Sequence, residues 1–117
     1  MSTTIAPFPK DSSNGFSIVV TAEAKPGKAD ALLEIFQRVR SVVSAEPECV
    51  LFELFRTDEN PNKLVWFETW TSTVEWFMQD QITKPYMKAY EKELELGDIL
   101  VGGRDIKFLE RVPATQS

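Results

Sequence analysis

The run Asn62-Lys63-Leu64-Val65-Trp66-Phe67-Glu68-Thr69-Trp70-Thr71-Ser72 decides how the rest of this 117-residue chain is read. Alternation puts Leu64, Trp66, Glu68 and Trp70 on one face of a strand, and Val65, Phe67 and Thr69 on the other. Both faces carry large apolar groups, so both need cover. A carboxylate two residues from each of two indoles is costly to bury unless it is hydrogen-bonded or bound to something. Two readings of Glu68 follow. It is either a strand carboxylate satisfied by a neighbouring Lys, Arg or backbone group, or a functional group in an apolar setting.

Upstream, Cys49–Thr57 reads as a second strand, with Val50, Phe52 and Leu54 set against Leu51, Glu53 and Phe55. The turn-rich Asp58-Glu59-Asn60-Pro61-Asn62 joins it to the Trp strand as a hairpin. Before it, Ala29, Leu32, Phe36, Val39 and Val43 recur at helical spacing over Lys28–Ala45, with Glu34 and Arg38 as an i,i+4 pair on the outer side and Pro47 as a stop. Pro26-Gly27 separates this helix from a first strand, Phe16–Ala24, whose Phe16, Ile18, Val20 and Ala22 share one face. Residues 1–15, with Pro7, Pro9, Ser12, Ser13, Asn14 and Gly15, read as a flexible arm.

Downstream, Ser72-Thr73-Val74-Glu75 has the pattern of a capping box opening a short helix that carries Val74, Trp76, Phe77 and Met78. A second helical piece follows Thr83, with Pro85 in its first turn, Met87, Tyr90 and Leu94 as its stripe, Tyr86 beside it and Gly97 as its stop. After Gly102-Gly103, Arg104–Val112 is the last strand, with Ile106 and Phe108 on one face, and 113–117 is a tail.

The order is β-α-β-β-α-β, an α+β ferredoxin-like domain over 16–112 with a four-stranded antiparallel sheet. Two helices cover one face of such a sheet, yet the strands are apolar at both parities. An uncovered apolar face marks an interface. The expectation is a homodimer packed through the sheet faces, a dimeric α/β barrel.

Bulk properties narrow the function. A net charge of −5 without a basic run argues against nucleic acid. No apolar run approaches a membrane span, and no secretory signal opens the chain. The single cysteine, Cys49, forbids an intrachain disulfide and fits a reducing, cytoplasmic setting. There is no histidine, which removes the commonest general base and the commonest metal and haem ligand. No metal site and no cofactor are expected.

The chain resembles the antibiotic-biosynthesis monooxygenase family of dimeric α+β barrels from Phe16 to Val112. The resemblance rests on Lys25-Pro26-Gly27-Lys28 at the helix entry, on the Asp58–Asn62 loop, and above all on Phe67-Glu68-Thr69-Trp70-Thr71-Ser72. That last run is similar to the family's E-x-W followed by a small helix-opening residue. The family holds cofactor-free monooxygenases of polyketide phenols, quinol oxygenases, haem-degrading enzymes and members without known activity. Two departures matter. The family's His in the helix after E-x-W is replaced by a Phe77-Met78-Gln79-Asp80 neighbourhood. Its first-strand Asn is absent, where Thr21 or Glu23 stands instead, and the resemblance makes Thr21 a candidate substrate-binding residue at that place. Haem degradation needs an axial His, so that branch is set aside.

The resemblance implies a ligand cavity between sheet and helices. Trp66, Glu68 and Trp70 would form its floor, and Trp76, Phe77, Tyr86 and Tyr90 its lid. Such a cavity suits a small hydrophobic or aromatic ligand. Cofactor-free oxygenation of a polyketide-like or quinol-type substrate needs a base, and without His that base is a carboxylate with a raised pKa. Glu68 is the first candidate, Glu53 on the neighbouring strand the second, and Arg104 would stabilise the oxyanion. The alternatives are a non-catalytic binder of a small hydrophobic molecule and a structural dimer with a filled core.

Overall fold

Alternating apolar and polar side chains set the sheet, and β-branched and aromatic residues fill it. The computed structural model describes residues 4–5 and 8–112, so the tail at 113–117 lies outside the described residues. Its strands are β1 (Thr4–Ile5), β2 (Phe16–Glu23), β3 (Cys49–Arg56), β4 (Lys63–Trp70) and β5 (Asp105–Glu110). Its helices are α1 (Ala29–Val43), α2 (Val74–Trp76), a π-helical turn (Phe77–Gln81) and α3 (Pro85–Leu96). Four strands form an antiparallel sheet in the order β5-β2-β4-β3, and β1 adds a two-residue parallel edge to β5. This is the ferredoxin-like arrangement with both helical layers on one face. Among the described residues no helix is long and apolar enough to cross a membrane.

The core lies between sheet and helices. Phe16, Ile18, Val20 and Ala22 of β2 and Leu64, Trp66 and Trp70 of β4 meet Leu32, Ile35, Phe36 and Val43 of α1 and Tyr90 and Leu94 of α3. The parities read from β2 and β4 are therefore those observed. Strand β3 departs from simple alternation. A register shift between Cys49 and Leu51 inserts one residue, so Val50 and Leu51 are both exposed while Phe52 is buried opposite Glu68.

Several local expectations change on contact with the rest of the molecule. Arg38 reaches across to Glu93 of α3, with Nη1 and Nη2 at 3.2 and 2.5 Å from its carboxylate, and ties the two long helices together. The N-cap of α2 is Thr73 rather than Ser72, its hydroxyl accepting from the Trp76 amide at 3.1 Å. A second hydroxyl, Ser12 Oγ, accepts from the Val74 amide at 3.1 Å. Two orphan amides of one helix start are thus satisfied, one of them by a residue 62 positions upstream. The segment 8–15, read as part of an arm, packs on the domain. Phe8 stacks edge-on against Phe108 at 5.0 Å, Ser12 is buried, and Gly15 takes φ +86° where a Cβ would stand 2.3 Å from the Trp70 carbonyl. Ser12→Ala is expected to cost about 1 kcal/mol, as loss of a helix-start acceptor does, and urea unfolding measures it.

Candidate active site

Strand β4 runs between β2 and β3, so both of its edges are hydrogen-bonded and its side-chain directions are fixed. The register sets Ile18 and Phe52 on either side of Glu68. Its hydrogen-bond donors are the two indoles flanking it in sequence. Trp66 Nε1 donates to Oε2 at 2.9 Å and Trp70 Nε1 to Oε1 at 3.0 Å. The indoles are themselves locked: Trp66 lies 4.0 Å from the Phe36 ring, and Trp70 5.3 Å from Phe77 and 5.9 Å from Trp76. The W-x-E-x-W spacing thus builds a clamp from one strand, because residues i, i+2 and i+4 share a face.

Burial pushes the Glu68 carboxyl above the ordinary carboxylate range, and the Trp70 and Trp66 hydrogen bonds and the Arg104 charge pull it partly back. The sign for stability follows. A folded-state pKa above the unfolded value means that the native state holds its proton longer, so stability falls as pH rises from about 4.5 through the folded pKa. Urea unfolding of Glu68→Gln at pH 4.5 and pH 7 should therefore show a stability difference, wild type minus variant, that shrinks at the higher pH.

Glu68 opens onto a cavity of about 350 Å³ between sheet and helices. Its floor adds Ile18 and Val20 of β2, and Ile106 and Phe108 of β5 close one side. Its roof is Phe77, Met78 and Ile82 from the π-turn and the residue after it, with Met87, Tyr90 and Glu91 of α3. Arg104 enters from the loop before β5. That loop is pinned to the end of β2 by an Ala24–Leu100 bridge and by the Val101 amide donating to the Glu23 carbonyl at 2.8 Å. Arg104 Nη1 donates to the Tyr90 hydroxyl at 2.8 Å, and Nη2 to the Glu91 carboxylate at 2.7 and 2.8 Å. Burial pushes the Tyr90 phenol far up, so it stays neutral. The polar equipment of the cavity is therefore the Glu68 carboxyl with its raised pKa, the Arg104 guanidinium held by the Glu91 carboxylate, and the neutral Tyr90 phenol, in apolar walls. A shallower groove of about 410 Å³ lies behind Arg104, along Glu91, Glu95 and Asp98, and is open and polar.

The structure brings together Glu68, Arg104, Trp66, Phe77 and Tyr90 at this cavity. Trp70 acts from behind Glu68, through its indole. Trp76 packs on Trp70, outside the lining. Tyr86 also lies outside it. Its hydroxyl donates to Glu46 Oε2 at 2.7 Å and accepts from Gln81 Nε2 at 2.7 Å, and burial pushes its pKa to about 12. Two candidates are corrected. Thr21 pairs with Val65 and Glu53 with Phe67, so both stand on the outer face of the sheet, away from the cavity. The apolar lining residues missed by the sequence reading, such as Ile18, Met78 and Met87, carry only the signal of inner-face position. Among the described residues no group of three His, Cys, Asp or Glu side chains is placed to hold a metal ion.

With this geometry the comparison with known proteins is direct. Residues 15–91 match the model of the antibiotic biosynthesis monooxygenase family. This match covers well over half of the chain, and the protein belongs to that family. A protein of Pestalotiopsis microspora, named as a candidate monooxygenase, is 27% identical over 100 residues, spanning 86% of this chain and 82% of its own. A structure from Pseudomonas aeruginosa superposes with a TM-score of 0.74 at 18% identity, over 88% of this chain and 99% of its own. A candidate antibiotic biosynthesis monooxygenase from Caulobacter crescentus gives 0.75 at 21% identity, over 87% and 93%. At such identities the structural likeness establishes the fold.

Proposed function

We propose that this protein is a cofactor-independent monooxygenase acting on a small aromatic, polyketide-like or quinol-type substrate held between sheet and helices. The observation that carries the reading is the Glu68 carboxylate, clamped by Trp66 and Trp70 and facing an apolar cavity beside Arg104 and Tyr90. Glu68 takes a proton from the substrate's phenol or activated carbon, and the positive charge of Arg104 stabilises the anion that forms. The electron-rich anion supplies the electrons that dioxygen needs. One oxygen atom enters the substrate carbon, the other leaves as water with the two hydrogens removed, and a phenol becomes a quinone. Tyr90 fixes Arg104, and the apolar walls keep water from the anion.

The same reading takes the protein as a cytoplasmic homodimer. The outer sheet face supports the dimer, with Phe55, Phe67 and Leu109 exposed at 47%, 41% and 45% and the Phe55 and Phe67 rings 5.6 Å apart. The Ser17 and Thr69 hydroxyls bond each other on that face at 2.8 Å, so these two polar groups are already partnered.

A thermal-shift screen against hydroxylated polyaromatics, followed by oxygen uptake with each binder, tests the activity. Binding with uptake supports it. Binding without uptake makes the protein a carrier, and no stabilisation across the panel makes it a structural dimer. In an active system Arg104→Gln should lower kcat by about 100-fold, the scale of one lost oxyanion-stabilising donor, with a smaller change in KM.

A further inference from the structure

Gln81, the last residue of the π-turn, is 0% exposed. Its amide orientation is fixed by a chain of bonds. Tyr86 has one hydroxyl proton and gives it to Glu46, which Lys84 also holds. Gln81 must therefore present its N–H to the phenol oxygen, and Oε1 points the other way. That oxygen is buried without a hydrogen-bond partner among the described residues. Burying an acceptor without a partner is costly, so its environment calls for a donor.

Gln81 lines a narrow hollow of about 20 Å³, together with Phe52, Phe77 and Glu68. The volume is that of a single water molecule. Trp66, Glu68, Phe77, Met87 and Tyr90 are walls of both this hollow and the main cavity, so the hollow is the inner end of the site. Each Glu68 oxygen accepts one indole bond and has a lone pair left. The π-turn, whose Ile82 amide donates to the Phe77 carbonyl at 3.0 Å, is the device that buries Phe77 and Gln81 together.

We propose that this hollow holds one ordered water that donates one hydrogen to Gln81 Oε1 and the other to the Glu68 carboxylate, which makes Gln81 a positioning residue for the base. Two acceptors facing one water-sized space use both hydrogens of a water. When Glu68 carries a proton, the same water turns and accepts from it. The bond to the charged form keeps Glu68 ionisable in a buried place. Its part in turnover rests on Glu68 being the base, whereas the water site does not. The other titratable groups facing Glu68 are Arg104, Tyr90 and Glu91 at the cavity and Cys49 of β3. From β2, β5 and α1 only apolar groups such as Ile18, Phe108 and Phe36 face it.

Carbon-13 titration of the glutamate carboxyls in the resting protein tests this without substrate, the Glu68 signal being assigned by its loss in Glu68→Gln. Gln81→Leu, which keeps the bulk, should raise the Glu68 midpoint by about one pH unit. Gln79→Leu, the same change at an exposed position of the π-turn outside the hollow, should leave it within about 0.3 unit. An unchanged midpoint in Gln81→Leu, or an equal rise in Gln79→Leu, overturns the proposal. A high-resolution crystal structure of the wild type gives a second answer that needs no variant to fold. One water within about 3.2 Å of both Gln81 Oε1 and a Glu68 oxygen is required, and an empty hollow contradicts it. Neither readout involves oxygen chemistry, so this proposal and the monooxygenase reading fail separately.

Discussion

Glu68→Gln is expected to keep ligand binding and to lose oxygen uptake by about 100- to 10,000-fold, the span attributed to a positioned general base. Gln is close to isosteric and its carbonyl can still accept one indole. The other indole N–H then faces an amide NH₂, which costs some stability and leaves the sheet as built. The loss should fall on kcat more than on KM, because the proton transfer belongs to the reaction and the apolar contacts belong to binding. In the wild type the acid limb of the kcat profile should lie above the ordinary carboxylate range, since burial raises Glu68 and the base works only when ionised. Rate therefore rises with pH through that raised pKa. A Glu68→Gln enzyme with wild-type uptake would remove Glu68 from the chemistry.

Phe67→Glu is expected to convert a dimer into a monomer. Phe67 stands mid-sheet on the outer face, with Val19 on one side and Glu53 on the other. An isologous interface meets each substitution twice, so two carboxylates would be buried at its centre. Uncompensated buried charge of that kind should weaken association by more than about 1,000-fold. The inner core, built on Trp66 and Trp70, does not touch Phe67's face, so circular dichroism should stay that of the wild type. Light scattering on an eluting peak reads the mass directly. A wild type running at the mass of one chain, or a variant still running as a dimer, contradicts the sheet-to-sheet assembly.

The chain's periodicity made much of this fold legible. The alternation in β2 and β4 placed Ile18, Val20, Trp66 and Glu68 on one face because a strand whose two edges are both paired has no freedom to roll. The same logic failed only at the start of β3, where the inserted Val50 leaves the face of Phe52 and Leu54, and no spacing rule announces a bulge. Glu53 was misplaced for a separate reason: it was chosen as a carboxylate on the strand beside Glu68, although its grouping with Leu51 and Phe55 already set it opposite Phe52. Thr21 was misplaced for another. Its candidacy came from the position of a family residue, although its own parity already set it opposite Ile18 and Val20. Side-chain partners were the least legible level. Glu34 is the nearest helical neighbour for Arg38, but Glu93 is reached only once α1 and α3 pack. The Ser12 cap and the Gln81 amide likewise depend on contacts that exist only in the folded chain. The W-x-E-x-W clamp is the exception, since its three residues share one strand and its hydrogen bonds follow from local geometry.

The most direct test of the central claim is turnover of a bound phenolic substrate under isotopically labelled dioxygen, without added reductant, metal or cofactor. The account predicts one labelled oxygen atom in each product molecule and the other in water, with neither formed by Glu68→Gln. A ligand that stabilises the protein yet consumes no oxygen, or a product that takes its oxygen from unlabelled water, would contradict it.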